Sequence, residues 1–366
     1  MAEHSDLEFR VFYLWDFGIR PQNDPKFGTA FAWDTDLLSG YEHEFIPNDS
    51  SSPGTESFWG LNNPLLVRRL KEWSPKAILL FGYKYMTHLK TIWWASHNNI
   101  PVIFRGDSHL IGRNMGPVKG LLLRKLFSRF SAFVYVGKAN QDYFRRLGVP
   151  DRKLFFSPHS VDASVFDPSK SGARECAESL RKELNIPPQA KVLLFAGKFQ
   201  PSKQPYELLE SFLSLQMDNV YALFVGDGQE SERMKKRAQR EPSVRFLPFS
   251  NQSLMPSRYL AADVFALPSK GYYETWGLAV NEAMHMGLPC LVSDRVGCQQ
   301  DLVSDGITGW VFASEDMVAL KNKLKDALGR DLTPFRQAVQ KRILNYTYRQ
   351  TTEGLLSAYR SVSREP

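Results

Sequence analysis

The stretch DVFALPSKGYYETWGLAVNEAMHMGLPCLVSD, residues 263–294, reads as strand, loop, helix and strand. Two short apolar runs bound it, and Gly287 with Pro289 stops the helix between them. Strands joined through a helix run parallel, so this unit belongs to a parallel sheet covered by helices. The loop ending at Thr275 feeds the first turn of the helix. The amides of Trp276, Gly277 and Leu278 therefore point at whatever sits above the sheet, and a helix N-terminus of this kind holds an anion. Gly277 lets the backbone come close to a phosphate. Glu274 lies just before the helix and Glu282 about two turns further, roughly 10 Å along the axis. Carboxylates repel a phosphate, so their presence makes sense if they bind neutral hydroxyls on either side of a diphosphate, each accepting two hydrogen bonds from a vicinal diol.

The same alternation extends outward through the 366 residues. FRVFYLW, HEFIPN, AILLFGY, PVIFRGD, AFVYVGK and KLFFSPH form a first set of strand-like runs, and KVLLFAGK, VYALFVGDG, VRFLPFS, DVFALPS, PCLVSD and GWVFA a second. Helix-like stretches separate them, which calls for parallel sheets covered on both faces and, at this length, two domains. The polar segment from Asp167 to Gln189, with Pro168, Gly172, Pro187 and Pro188, is the linker and holds a short helix. The expected division is residues 1–168 and 169–345, followed by a C-terminal helix over 346–366 with Leu355, Leu356 and Tyr359 on one face.

In open parallel sheets the ligand lies beyond the carboxyl ends of the strands. In FAGKFQPSKQP a strand ends at Gly197 and is followed by Lys198 and Lys203, two cations able to neutralise a diphosphate leaving group. In FVGDGQE a strand ends at Gly226-Asp227-Gly228, a tight turn into a helix.

Together these segments resemble the retaining glycosyltransferases of family 4, which have the GT-B fold: two Rossmann-like domains facing a cleft. The similarity runs in order through AGKFQPSKQP, FVGDG, VRFLPFSNQSLMPSRYLAADVFALPS, ETWGLAVNEAMHMGLPCLVSD and DGITGWVF. It implies that Glu282 holds the ribose of a sugar nucleotide, Glu274 the donor sugar, and Lys198 with Lys203 the diphosphate. Family members usually carry Arg at the position of Lys198 and Phe at that of Trp276; the first exchange keeps the charge and loses the bidentate fork. In the first half, DPKFGTAFAW resembles the loop that places Gly28 and Thr29 against the donor phosphate, without the usual paired glycines. In IPVIFRGDSHL either Asp107 or His109 fills the place of the family's cleft histidine. His109 is favoured, because a neutral imidazole bonds a sugar hydroxyl without repelling phosphate. The resemblance also implies transfer with retention, no metal, no cofactor beyond the donor, and a C-terminal helix that crosses back to the first domain. A sugar-nucleotide isomerase and a non-catalytic sugar-nucleotide-binding protein are the alternatives on the same fold.

Composition narrows the partners. The net charge of +7 suits an anionic ligand, but no zinc-finger, RNP or helix-turn-helix pattern accompanies it, so nucleic acid is not expected. The acidic N-terminus and three cysteines without C-x-x-C spacing fit an unprocessed cytoplasmic chain. Asp34-Thr35-Asp36 has D-x-D spacing but is expected on the solvated face of a first amphipathic helix. The stretch from Lys119 to Phe130 sets Lys119, Arg124, Lys125 and Arg129 among Leu121, Leu122, Leu123, Leu126, Phe127 and Phe130. It reads either as a packed helix with a basic outer face or as a peripheral dock on an anionic membrane.

Overall fold

The computed structural model describes residues 7–19, 22–24, 29–271 and 274–363. Fourteen strands are found among them. In the first half these are β1 (Arg10–Tyr13), β2 (Gln22–Asp24), β3 (Thr29–Phe31), β4 (Glu42–Phe45), β5 (Ile78–Phe81), β6 (Val102–Arg105), β7 (Ala132–Tyr135) and β8 (Leu154–Phe156). In the second they are β9 (Lys191–Ala196), β10 (Val220–Val225), β11 (Val244–Leu247), β12 (Val264–Leu267), β13 (Cys290–Ser293) and β14 (Gly309–Phe312).

The strands of the second half form one parallel sheet in the order β11-β10-β9-β12-β13-β14. Alternate residues of β9 enter different cores. Val192, Leu194 and Ala196 pack on one face, with Val280 and Met284; Leu193 and Phe195 pack on the other, with Leu208, Leu209 and Leu324. Both faces are covered, which is why the strand reads as an unbroken apolar run.

In the first half β5, β6, β7 and β8 form a parallel sheet in chain order, while β1 pairs with β4 in parallel and β2 with β3 antiparallel. One face of the four-stranded sheet buries Phe104, Phe127, Phe130, Phe133 and Phe144 together. The other face offers little of its own: Ile103, Ala132 and Val134 are closed off by Leu355, Ala358, Tyr359 and Val362 of the final helix, Tyr348–Ser363. The C-terminal helix therefore does cross back, and it does so to cover an otherwise bare sheet face. Gly354 allows the contact, since a Cβ there would land on the carbonyl of Phe156.

One expectation changes. Residues 32–41 form turns, not a helix: Asp36 caps the amides of Leu38 and Ser39 at 3.0 and 3.1 Å, and Asp34 accepts from the Ser253 amide at 3.3 Å in the other half. The helix Pro117–Phe127 buries only Leu123 and Phe127 and turns Val118, Leu121 and Leu122 outward. Among the described residues no helix is long and apolar enough to cross a membrane.

Candidate functional site

The strand order of the second sheet reverses between β9 and β12, so the loops leaving those two strands diverge and open a crevice. The lysines and the first glutamate of the sequence pattern lie on those loops. The Lys203 side chain folds back over Gly197, where a Cβ would stand 3.7 Å from its Cδ and 3.9 Å from its Nζ. Its ammonium lies 2.7 Å from Oε2 of Glu274, which follows β12. Lys198 stands half-buried beside Gly197. Gly226, at the end of β10, abuts the Gly197 carbonyl with no room for a side chain, so it brings two strand ends together.

The helix Leu278–His285 starts at Gly277, whose φ of 101° is the left-handed region that glycine enters without strain. Among the described residues nothing accepts from the amides of Trp276, Gly277 or Leu278, which leaves them for a ligand. The Trp276 side chain does not join them. It is 3% exposed, donates Nε1–H to Asn281 Oδ1 at 2.7 Å, and packs on His159 and Tyr346 with ring centroids 5.7 and 6.1 Å away. The Leu278 side chain is exposed. Glu282, one turn into the helix, accepts from the Tyr259 hydroxyl at 2.7 Å. Burial pushes its carboxyl up to about 7 even though Tyr259 favours the charged form.

The first half closes over this crevice from the end of β6. His109 is 4% exposed. Its Nδ1 accepts from the Ile111 amide at 3.1 Å, which places the proton on Nε2, 3.5 Å from the Glu274 carbonyl oxygen. Burial lowers its basicity, so the ring is a neutral donor aimed at the Glu274 loop. Asp107 accepts from the Thr275 hydroxyl at 2.7 Å, with His159 Nε2 3.8 Å away. Burial raises its pKa, but the bonds from His159 and Thr275 outweigh that and hold it below the usual carboxylate range. Both members of the Asp107/His109 choice thus reach the 274–275 segment. Gly28 lies outside the described residues; Thr29 opens β3 and only its backbone is described.

Further contacts across the crevice had no sequence signal. Asn281 Nδ2 donates to the His159 carbonyl at 3.0 Å. Asp301, 4% exposed, accepts from the Lys138 amide at 3.0 and 3.2 Å and so caps the helix Lys138–Arg146 of the opposite half. Gly137 before that helix is pressed against Trp276 and Asp301, where a Cβ would stand 2.5 Å and 2.6 Å from their atoms.

Residues 177–345 match the family described as glycosyl transferases group 1. D-inositol 3-phosphate glycosyltransferase of Mycolicibacterium smegmatis is 28% identical over 207 residues, 54% of this chain and 45% of the relative. The chain spans about half the length of the curated relatives it matches. A glycosyltransferase from Rickettsia africae superposes with a TM-score of 0.72 at 16% identity, covering 89% of this chain and 86% of the other. Anabaena Alr3699/HepE, solved with UDP and glucose, gives 0.64 at 18%, with 87% of each chain covered. These structures share the fold, two parallel sheets across a crevice with a returning C-terminal helix, which is the GT-B arrangement. Over residues 177–345 the chain is thus similar to the glycosyl transferases group 1 family, within a fold shared with GT-B glycosyltransferases.

Proposed function

We propose that the protein is a retaining glycosyltransferase that moves a sugar from a nucleoside-diphosphate sugar to a hydroxyl acceptor without a metal ion. Residues 1–168 with the final helix form the acceptor side in this reading, and residues 169–345 the donor side. The observation that carries it is the Lys203–Glu274 pair over Gly197, at the point where the strand order reverses and beside undonated helix amides. Lys203 and Glu274 neutralise each other. A diphosphate takes over the Lys203 ammonium, with Lys198 and the amides of Gly277 and Leu278, and frees the Glu274 carboxylate for sugar hydroxyls. Glu282 takes the ribose diol. The bond from the anomeric carbon to the departing phosphate oxygen breaks, the acceptor oxygen bonds that carbon on the same face, and the acceptor's proton passes to the phosphate oxygen. His109, neutral and donating, holds a sugar hydroxyl.

UDP-glucose heads the donor panel, because the Anabaena neighbour was solved with UDP and glucose. Lys203→Ala should lower kcat about 100-fold or more, the usual loss when one group that stabilises developing charge is removed. Glu274→Gln should lower kcat while leaving affinity for the bare nucleoside diphosphate within about twofold, since its partner is the sugar. Intact turnover in Lys203→Ala, or an equal loss of diphosphate affinity in Glu274→Gln, would place the donor elsewhere. Interconversion of sugar nucleotides without an acceptor would mark an isomerase.

A further inference from the structure

The helix Pro117–Phe127 has two apolar faces and only one of them is used. Leu123 and Phe127 point into the core, at 7% and 3% exposure. Val118, Leu121 and Leu122 stand on the opposite side at 72%, 70% and 63%. Their i, i+3, i+4 spacing makes them one ridge, not scattered exposures. Solvent is a poor neighbour for three large aliphatic side chains on adjacent turns.

The charge around the ridge has one sign. Residues 108–141 contain six Lys or Arg and no Asp or Glu. Lys119, Arg124, Lys125 and Arg129 lie exposed on or just past the helix, and Arg146 comes alongside from the next one. None of these five meets a carboxylate among the described residues. A hollow of about 360 Å³ lies beside the ridge, walled by Met115, Leu121 and Leu147 and flanked by Arg124 and Arg146. Apolar walls with two guanidinium groups at the edge suit an acyl chain below an anionic headgroup.

We infer that this face docks on an anionic lipid bilayer, with Val118, Leu121 and Leu122 entering the headgroup layer and the surrounding cations resting on lipid phosphates. A second copy of the chain is a poor occupant, because a two-fold contact would set the cations of one ridge against those of the other. The docked helix is also joined to the crevice by a short stretch of chain. Gly112 abuts the Arg295 guanidinium across the crevice, and the chain from there to Pro117 spans at most roughly 18 Å. The loop carrying His109 thus leads directly into the docked helix. The inference is independent of the transferase reading, because it concerns a surface outside the donor crevice.

The test is co-sedimentation of the full chain with vesicles of equal parts phosphatidylcholine and phosphatidylglycerol, and with pure phosphatidylcholine as control. Binding is expected to the mixed vesicles, to weaken with salt, and to be far lower on the control. Arg124→Gln with Lys125→Gln should weaken partitioning about 30-fold, from about 1 kcal/mol per cation. Leu121→Ser with Leu122→Ser should remove the part that salt does not abolish. All four side chains are exposed, so unchanged melting shows that the variants fold. No binding at low salt, equal binding to both vesicles, or wild-type partitioning by both double variants overturns the inference. So does a concentration-dependent dimer that Leu121→Ser with Leu122→Ser dissolves, since the ridge is then a self-interface.

Discussion

Glu282, proposed above to hold the ribose, is maintained at a cost to stability. Its carboxyl sits at about 7, where burial has raised it from the ordinary value of 4.5. A carboxyl raised in the folded state contributes stability that is fully present below pH 4.5 and lost as the pH rises through about 7. Glutamine keeps an acceptor for Tyr259 and cannot ionise. Glu282→Gln should therefore melt above the wild type at pH 8, with the difference shrinking toward pH 5; a pH series of melting curves checks it. The same variant should bind nucleoside diphosphate about 10- to 100-fold more weakly, because bonds to a charged acceptor are worth about 1.5–3 kcal/mol. A variant that is both more stable and fully competent would remove Glu282 from the ligand. The placement of Glu274, Lys198 and Lys203 beyond strand ends and of Glu282 in the following helix was legible because the signal is local: strand ends, a helix start and a fixed spacing. Their partners were not. Tyr259 lies 23 residues from Glu282, and Asp107 lies 168 from Thr275, so nothing short-range announces either pair. The burial of the Trp276 ring was not legible either, because an aromatic beside a glycine at a helix start looks the same whether its ring faces outward or the core.

At the scale of elements, strands and helices followed from apolar runs and turn residues, and the linker helix Ala173–Glu183 lies where the polar segment placed it. The helix Pro117–Phe127 shows the limit of pattern reading: with apolar residues nearly all round, the sequence identifies a helix without saying which side meets the sheet. Residues 32–41 show another, since alternating acidic and apolar residues fit turns as well as a helix surface. The helix Lys138–Arg146 depends on a contact no local pattern reveals. It begins at Gly137, which has no side chain to cap it, and Asp301 from the other half takes the Lys138 amide instead. Asp301→Ala leaves that amide without its acceptor in a part-buried contact and should cost about 1–2 kcal/mol, read from the urea midpoint. Gly137→Ala, which crowds Trp276 and Asp301, should also destabilise, and the double variant should cost less than the sum because both act on one contact. Strict additivity would mean that the cap and the close approach are unconnected.

At the scale of the whole molecule the two halves are joined twice, once by the linker and once by the returning helix. The spacing of Leu355, Leu356 and Tyr359 showed an amphipathic helix, but its destination came from family resemblance, because the bare sheet face it covers lies more than two hundred residues earlier in the chain. The contact is narrow. Ile103, Ala132 and Val134 present small or flat surfaces, so the helix must lie close for Leu355, Ala358 and Tyr359 to reach them. Gly354 sets that distance against the Phe156 carbonyl, and Thr351 ties the first turn by donating to the Pro158 carbonyl at 2.7 Å while accepting from Ser157 at 2.9 Å. A larger residue at 354 meets backbone, which cannot swing aside as a side chain can. Gly354→Val should therefore lift the helix and cost about 1–3 kcal/mol through overpacking, in addition to loosening Leu355, Ala358 and Tyr359 from the sheet beneath. Truncation after Leu344 should be more severe, since it exposes the whole face and also removes Tyr346 from Trp276 and Asp301. Hydrogen exchange separates the two: in Gly354→Val protection should fall in β7, β8 and the final helix, while β9, β10 and β12 keep theirs. Uniform loss across both sheets would mean that the halves unfold as one unit, and unchanged protection in β7 and β8 would mean that the helix does not hold the first sheet.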